Sequence, residues 1–291
     1  MLYLDNAAAT KMHEEVLQEM LKALNSYGNS EAKFYSQAEE AKNLIKIARN
    51  RVASLINADS DEIIFTSGAT ESNNLVLKGL FFASNRKKKI IISAIEHSSV
   101  YDTCMFLKNM GANIEIIPVD KSGKIDLDSL ESKIDNKTLL VSIISVNNEI
   151  GTVQDLEKID EICFKHKVFL HTDATQAAGK IELNIRNFKS LKFITFTAHK
   201  IYGPKGIGCL VIKTNKNEER PELIPLFHGG EQEFGLRAGT SPTSLIVGFG
   251  KACEIAKRDF KKNHEILLQY EKIVLDKLKH KFNEKIIINN D

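Results

Sequence analysis

The feature that most constrains this chain is an alternation of short apolar runs with amphipathic stretches. The runs are EIIF ending at Phe65, KIIISA at Ala94, NIEIIPV at Val119, TLLVSIISV at Val146, VFLHT at Thr172, FITFT at Thr197 and GIGCLVIK at Lys213. Several are rich in β-branched residues and apolar at successive positions, which is how strands covered on both faces read. Between them lie ATESNNLVLKGLFFA, SSVYDTCMFLKNM and DLEKIDEICFKH, each with helical periodicity. Strand and helix alternating in this way predict an α/β chain with a mostly parallel, doubly wound sheet and helices on both faces. Ligands of such sheets sit beyond the carboxyl ends of the strands. The residues just after each run therefore matter most.

The flanks read differently. Residues 1–13 precede the first helical pattern and read as an N-terminal arm, and 14–241 as one large domain. From Pro242 the pattern is a long amphipathic helical run, read over 242–291 as the start of a second, smaller unit; KIIINND at the end reads as a strand without a visible partner. Composition excludes several functions. With 291 residues, a formal net charge of +2, 43% apolar and 27% charged residues, the chain can bury a sizeable core and lacks the basic bias of a nucleic-acid binder. RKKK at Arg86–Lys89 reads as a solvated loop before a strand. The four cysteines form no CxxC pair and no zinc pattern, and their scatter suits a reducing compartment. No secretory leader and no apolar run of membrane-spanning length is visible, so a cytoplasmic protein with no metal site is expected.

Five strand ends carry candidate chemistry. Thr66-Ser67-Gly68-Ala69-Thr70 opens a helix and reads either as a phosphate cup or as an ordinary cap. His97 follows the second run, as a stacking or proton-transfer group or as an incidental histidine. Asn147-Asn148 can form a turn or donate to a ligand oxygen. Asp173 follows a strongly apolar strand; a carboxylate there needs donors or a cation, such as a protonated ring nitrogen, or caps the next helix. In TFTAHKIYGPKG, Lys200 stands at a strand end before a Gly-Pro turn, where an amine can form a Schiff base with an aldehyde or lie along the surface. One ligand would use all five sites: it has a phosphate, a ring nitrogen, a phenolic oxygen and an aldehyde. Pyridoxal 5′-phosphate has these groups.

The segments LDNAAAT, FTSGATESNN, EHSSV, VNNEIGTVQD, DATQAAGK, TAHKIYGPKGIG and HGGEQEFGLRAGT, in this order, resemble the NifS/IscS-type cysteine desulfurases of the class V aminotransferase superfamily. The resemblance implies a dimeric fold-type I pyridoxal-phosphate transferase. Such an enzyme converts L-cysteine to L-alanine and passes the sulfur, as a persulfide, to a sulfur acceptor or iron–sulfur scaffold protein. It assigns Lys200 to the Schiff base, Asp173 to the ring nitrogen, Gln176 to the phenolic oxygen, and His97 to ring stacking and proton transfer. Ala69, Thr70, Thr197 and His199 would hold the phosphate, and Asn148 would lie near the phenolic oxygen and the substrate carboxylate. Thr240 would reach the phosphate of a partner subunit. Two departures stand out. The family's sulfur-accepting cysteine and carboxylate-gripping arginine lie in a C-terminal region beyond Asp291, and none of Cys104, Cys163, Cys209 or Cys253 matches that cysteine. YGNSEAKFYSQAEEA also replaces a stretch with a Gly-Asn-Pro and a following histidine. The alternatives are another pyridoxal-phosphate lyase, such as a selenocysteine lyase, and an inactive subunit acting as a partner protein.

Overall fold

In a computed structural model, which describes residues 3–32, 34–214 and 219–286, all seven apolar runs carry strands of a single sheet. They are β1 (Ile63–Thr66), β2 (Lys89–Ser93), β3 (Asn113–Ile117), β4 (Thr138–Ser142), β5 (Phe169–Asp173), β6 (Leu191–Thr197) and β7 (Gly208–Ile212). The spatial order is β1-β7-β6-β5-β4-β2-β3. Strands β2 to β6 are parallel, while β7 runs antiparallel to both its neighbours, β1 and β6. Strand β1 therefore points the same way as the parallel five, and the carboxyl ends of β1, β2, β4, β5 and β6 open on one edge.

Because successive strand side chains point to opposite faces, each strand feeds two cores. Ile63, Phe65, Ile91, Val141, Ile194 and Phe196 belong to one, and Ile64, Ile90, Ile92, Leu140 and Phe193 to the other. The first core is closed by α1 (Glu14–Ala23), α2 (Ser36–Leu55), α5 (Leu127–Lys133), α6 (Leu156–Lys165) and α7 (Thr243–Arg258), the second by α3 (Ala69–Ala83) and α4 (Ser98–Asn109). Helix α7 is thus part of the main core, through Ile246, Phe249, Ala252 and Cys253. Helix α8 (Phe260–Phe282) buries none of its side chains. Most of KIIINND lies outside the described residues.

Three local readings differ from expectation. The run ending at Val146 leaves regular pairing at Ser142, although Ile143 N–H still donates to the His171 carbonyl and Ser145 N–H to that of Asp173. Lys89 is the first residue of β2 and is buried, its amine on the Lys133 carbonyl and the Asp135 carboxylate, so RKKK is not wholly solvated. Helix α5 is too short for its periodicity to stand out in the sequence. No described helix is long and apolar enough to cross a membrane.

Candidate active site

Apart from Thr240, the candidate side chains lie at or after the ends of strands. Strand β1 stops at Thr66, and α3 begins at Ala69 with no side chain capping its free N–H groups. Gly208, opening β7, lies so close that a Cβ there would be 2.8 Å from the Gly68 Cα, so this approach requires glycine. The contact brings the start of α3 against the start of β7, beside the end of β6. Thr197 closes β6, and its hydroxyl donates to the Ile207 carbonyl and lies 3.2 Å from His199 Nδ1.

A 3₁₀ turn, Ala198–Lys200, carries the lysine out of the sheet. Gly203 N–H then closes back on the Ala198 carbonyl at 2.9 Å, and a Cβ at Gly203 would meet Ala198 at 2.8 Å. The Gly-Pro turn therefore packs directly beneath the lysine's turn. The Lys200 amine donates to the carbonyls of Ala7 (2.5 Å) and Ala8 (2.7 Å). The N-terminal arm is pinned across the site by Thr10, whose hydroxyl donates to the His199 carbonyl and accepts from Tyr202 N–H. Burial holds the Lys200 amine below the ordinary lysine range, against the opposing pull of Asp5 and Asp173.

Asp173 is only 3% exposed, and each carboxylate oxygen has a donor: Thr175 N–H at 3.0 Å and Asn73 Nδ2 at 2.7 Å. Gln176 donates from Nε2 to the Ala7 carbonyl, and its Oε1 accepts from Lys180 at 2.5 Å. Of the paired amides, Asn147 is committed to its turn: Oδ1 accepts from the N–H groups of Glu149 and Ile150, and Nδ2 donates to the Ile95 carbonyl. Asn148 is left facing the opening, with Nδ2 on Glu149 Oε1. Beside His97, Glu96 is half-buried, with its carboxyl oxygen Oε2 closed off from solvent. Desolvation pushes its carboxyl up to about 8, against the opposing hydrogen bonds from the Ser93 hydroxyl and Ile144 N–H.

These elements enclose a cavity of about 710 Å³. Ala69, Thr70, His97, Asn148, Asp173, Gln176, Thr197, His199 and Lys200 all line it. Thr240 does not; it lines a separate groove with Phe227, His228 and Arg237. Sequence reasoning passed over Asp5, Ala7, Glu71, Thr175 and Lys205, which also line the cavity. It also passed over Asn73 and Lys180, which brace Asp173 and Gln176 from outside. Asn73 lies within a quoted segment, but a buried amide in a helix carries no pattern of its own. Ala7 acts through its carbonyl, to which no side-chain signal corresponds. Among the described residues no cluster suited to a metal ion occurs. All four cysteines are buried, and desolvation raises every thiol, Cys104 and Cys163 to about 12.

Known proteins are similar to this chain in sequence and fold. The chain is 40% identical to the cysteine desulfurase IscS of Ehrlichia chaffeensis over its whole length, which corresponds to 70% of that protein. Among solved structures, SspA in complex with cysteine is 43% identical, with a TM-score of 0.82 over 87% of this chain and 72% of the other. A NifS-like protein is 36% identical, with a TM-score of 0.91 over 96% of this chain and 76% of the other. Residues 2–289 match the aminotransferase class-V family, and the chain belongs to that family.

Proposed function

We propose that the chain binds pyridoxal 5′-phosphate in the 710 Å³ cavity and acts there on L-cysteine as a cysteine desulfurase. One observation carries the reading: a lysine amine kept partly desolvated and a buried carboxylate with both oxygens anchored open on the same cavity as the uncapped start of α3. The donor set fits the cofactor. The free N–H groups at Ala69 and Thr70, with Thr197 and His199, suit a phosphate. Asp173 suits a cationic ring nitrogen, and Gln176 and Asn148 suit the phenolic oxygen and the substrate carboxylate. When bound, the cofactor supplies an aldehyde for imine exchange and an electron sink for the bond broken at Cα.

The chain's own residues do the rest. Lys200 would hold the aldehyde and serve as the base for the Cα proton, and its lowered affinity for protons favours the free amine. Asp173 lies in a nearly dry site, where an opposing cation would be strongly favoured. The cysteine-bound structural neighbour supports the substrate. Sulfur acceptance is a separate matter, because an attacking thiolate must be exposed and deprotonated, and all four thiols are buried with raised proton affinity.

Three finer points belong to this reading. A homodimer would let Thr240, which lies outside the cavity of its own chain, serve the phosphate of a second copy. Division of the chain into an arm (1–13), a cofactor domain (14–241) and the start of a second unit (242–291) is supported by α8, which buries none of its side chains, and opposed by α7, which packs into the main core. Delivery of sulfur to an iron–sulfur scaffold or another acceptor in the cytoplasm rests on the kinship alone.

The test is borohydride trapping after incubation with pyridoxal phosphate. A single pyridoxyl adduct on Lys200, absent from Lys200→Ala, is the expected result; adducts scattered over surface lysines would defeat the proposal. Incubation with L-cysteine and a reductant then separates the two halves of the reaction. Rapid sulfide release, at the rate of an enzyme with an exposed acceptor thiol, would contradict the account of the cysteines.

A further inference from the structure

His97 caps α4, and its Nδ1 accepts the Ser99 backbone N–H at 3.1 Å. A backbone N–H can only donate, so Nδ1 carries no proton and the ring proton is on Nε2. The Ser99 hydroxyl lies 2.8 Å from the same Nδ1 and, for the same reason, donates to it. That hydroxyl has one hydrogen to give and accepts from Asn73 Nδ2 at 2.8 Å. The second hydrogen of Asn73 Nδ2 goes to Asp173 Oδ2 at 2.7 Å. Asn73 is fully buried and Ser99 is 8% exposed, so water does not compete for the bonds of the Asn73 amide, whereas the His97 ring itself is exposed. The direction of every bond in the chain is thereby fixed: the Asn73 amide gives to Asp173 and to Ser99, and Ser99 gives to His97.

We propose that Asn73 and Ser99 are positioning residues that lock His97 in the tautomer protonated at Nε2 and tie its orientation to the Asp173 carboxylate. The ring then has no lone pair left to turn toward the cavity. His97 acts as a hydrogen-bond donor to an oxygen or sulfur acceptor of the substrate, and the Cα proton is left to Lys200. This consequence for catalysis rests on the proposed cofactor site, whereas the tautomer itself does not.

Long-range ¹H–¹⁵N correlation spectra of the full chain labelled at histidine, with and without pyridoxal phosphate, test the two separately. The His97 signals are assigned by their loss in His97→Gln. The expected wild-type pattern, already present without cofactor, is an unprotonated Nδ1 and a protonated Nε2. Ser99→Ala should keep the tautomer, through the backbone N–H, but shift Nδ1 toward the position of a nitrogen with one donor fewer; Ser99→Thr should restore it. Asn73→Leu should move the same resonance without touching His97 directly. A proton on Nδ1 in the wild type overturns the proposal whatever the variants do, as does an unchanged Nδ1 in a folded Ser99→Ala. Failure of the cofactor to bind would overturn the cavity assignment and leave the tautomer result standing.

Discussion

The Lys200 amine lies 2.5 Å from the carbonyl oxygen of Ala7, a residue 193 positions earlier in the chain. The arm and the lysine turn thus form one structure, and the amine sits beneath the arm, partly withdrawn from water. Burial of a cation favours its neutral form. The pH midpoint for imine formation between pyridoxal phosphate and the wild-type chain should therefore fall below the 10.5 of an ordinary lysine. Stopped-flow absorbance across a pH series measures it; a midpoint at or above that value would show that the arm carbonyls and Asp173 outweigh desolvation.

Glu96 gives a stability signature. Its carboxyl keeps its proton to about 8 in the folded chain and only to about 4.5 in the unfolded one. Between these values the folded state binds more protons, so stability falls as pH rises, by up to about 1.4 kcal/mol per pH unit. Glu96→Gln keeps an acceptor for the Ser93 hydroxyl and Ile144 N–H and removes the titration. Urea unfolding at several pH values should show a downward slope in the wild type that is absent from the variant.

The Arg49–Glu233 pair is a bidentate bridge with side chains 15% and 5% exposed, and Glu233 also accepts the Phe65 N–H. It fastens the loop before α7 to β1. Glu233 holds φ at +49°, a conformation that costs energy and persists only where the surroundings enforce it. Glu233→Ala leaves a largely buried guanidinium and a buried N–H without their partner, and should cost about 3 kcal/mol. Denaturant midpoints would register this, and a loss under about 1 kcal/mol would mean that water reaches Arg49.

Thiol chemistry should be silent in the folded state. With all four cysteines buried, a disulfide reagent should label none of them rapidly in buffer and all four in guanidinium chloride. Fast labelling of even one under native conditions would reopen the question of an acceptor in this chain.

Much of this was legible before any coordinates. Strand positions follow from β-branched runs whose alternate residues feed two cores, and Asp173 and Lys200 stand at the ends of adjacent strands. What escaped has physical reasons. Lys180 and Asn73 act on Gln176 and Asp173, and contacts between side chains of distant segments leave no periodicity. The pull of Ala7 on Lys200 is a main-chain interaction, invisible to side-chain reading. The division of labour between Asn147 and Asn148 depends on which amide faces the turn, and neighbours of identical type cannot announce that. Helix α7 joins the core because its buried face meets α2, a partner some two hundred positions upstream.

The antiparallel strand β7 has a consequence for how the site is assembled. It pairs with β6 through the short connection that contains Lys200, so this lysine rides on a hairpin whose partners are near in sequence and cheap in chain entropy to bring together. The cup at Gly68 must arrive from far upstream, and Asp173 through a separate crossover. The turn that carries Lys200 therefore costs less chain entropy to close than its meeting with either of these distant segments.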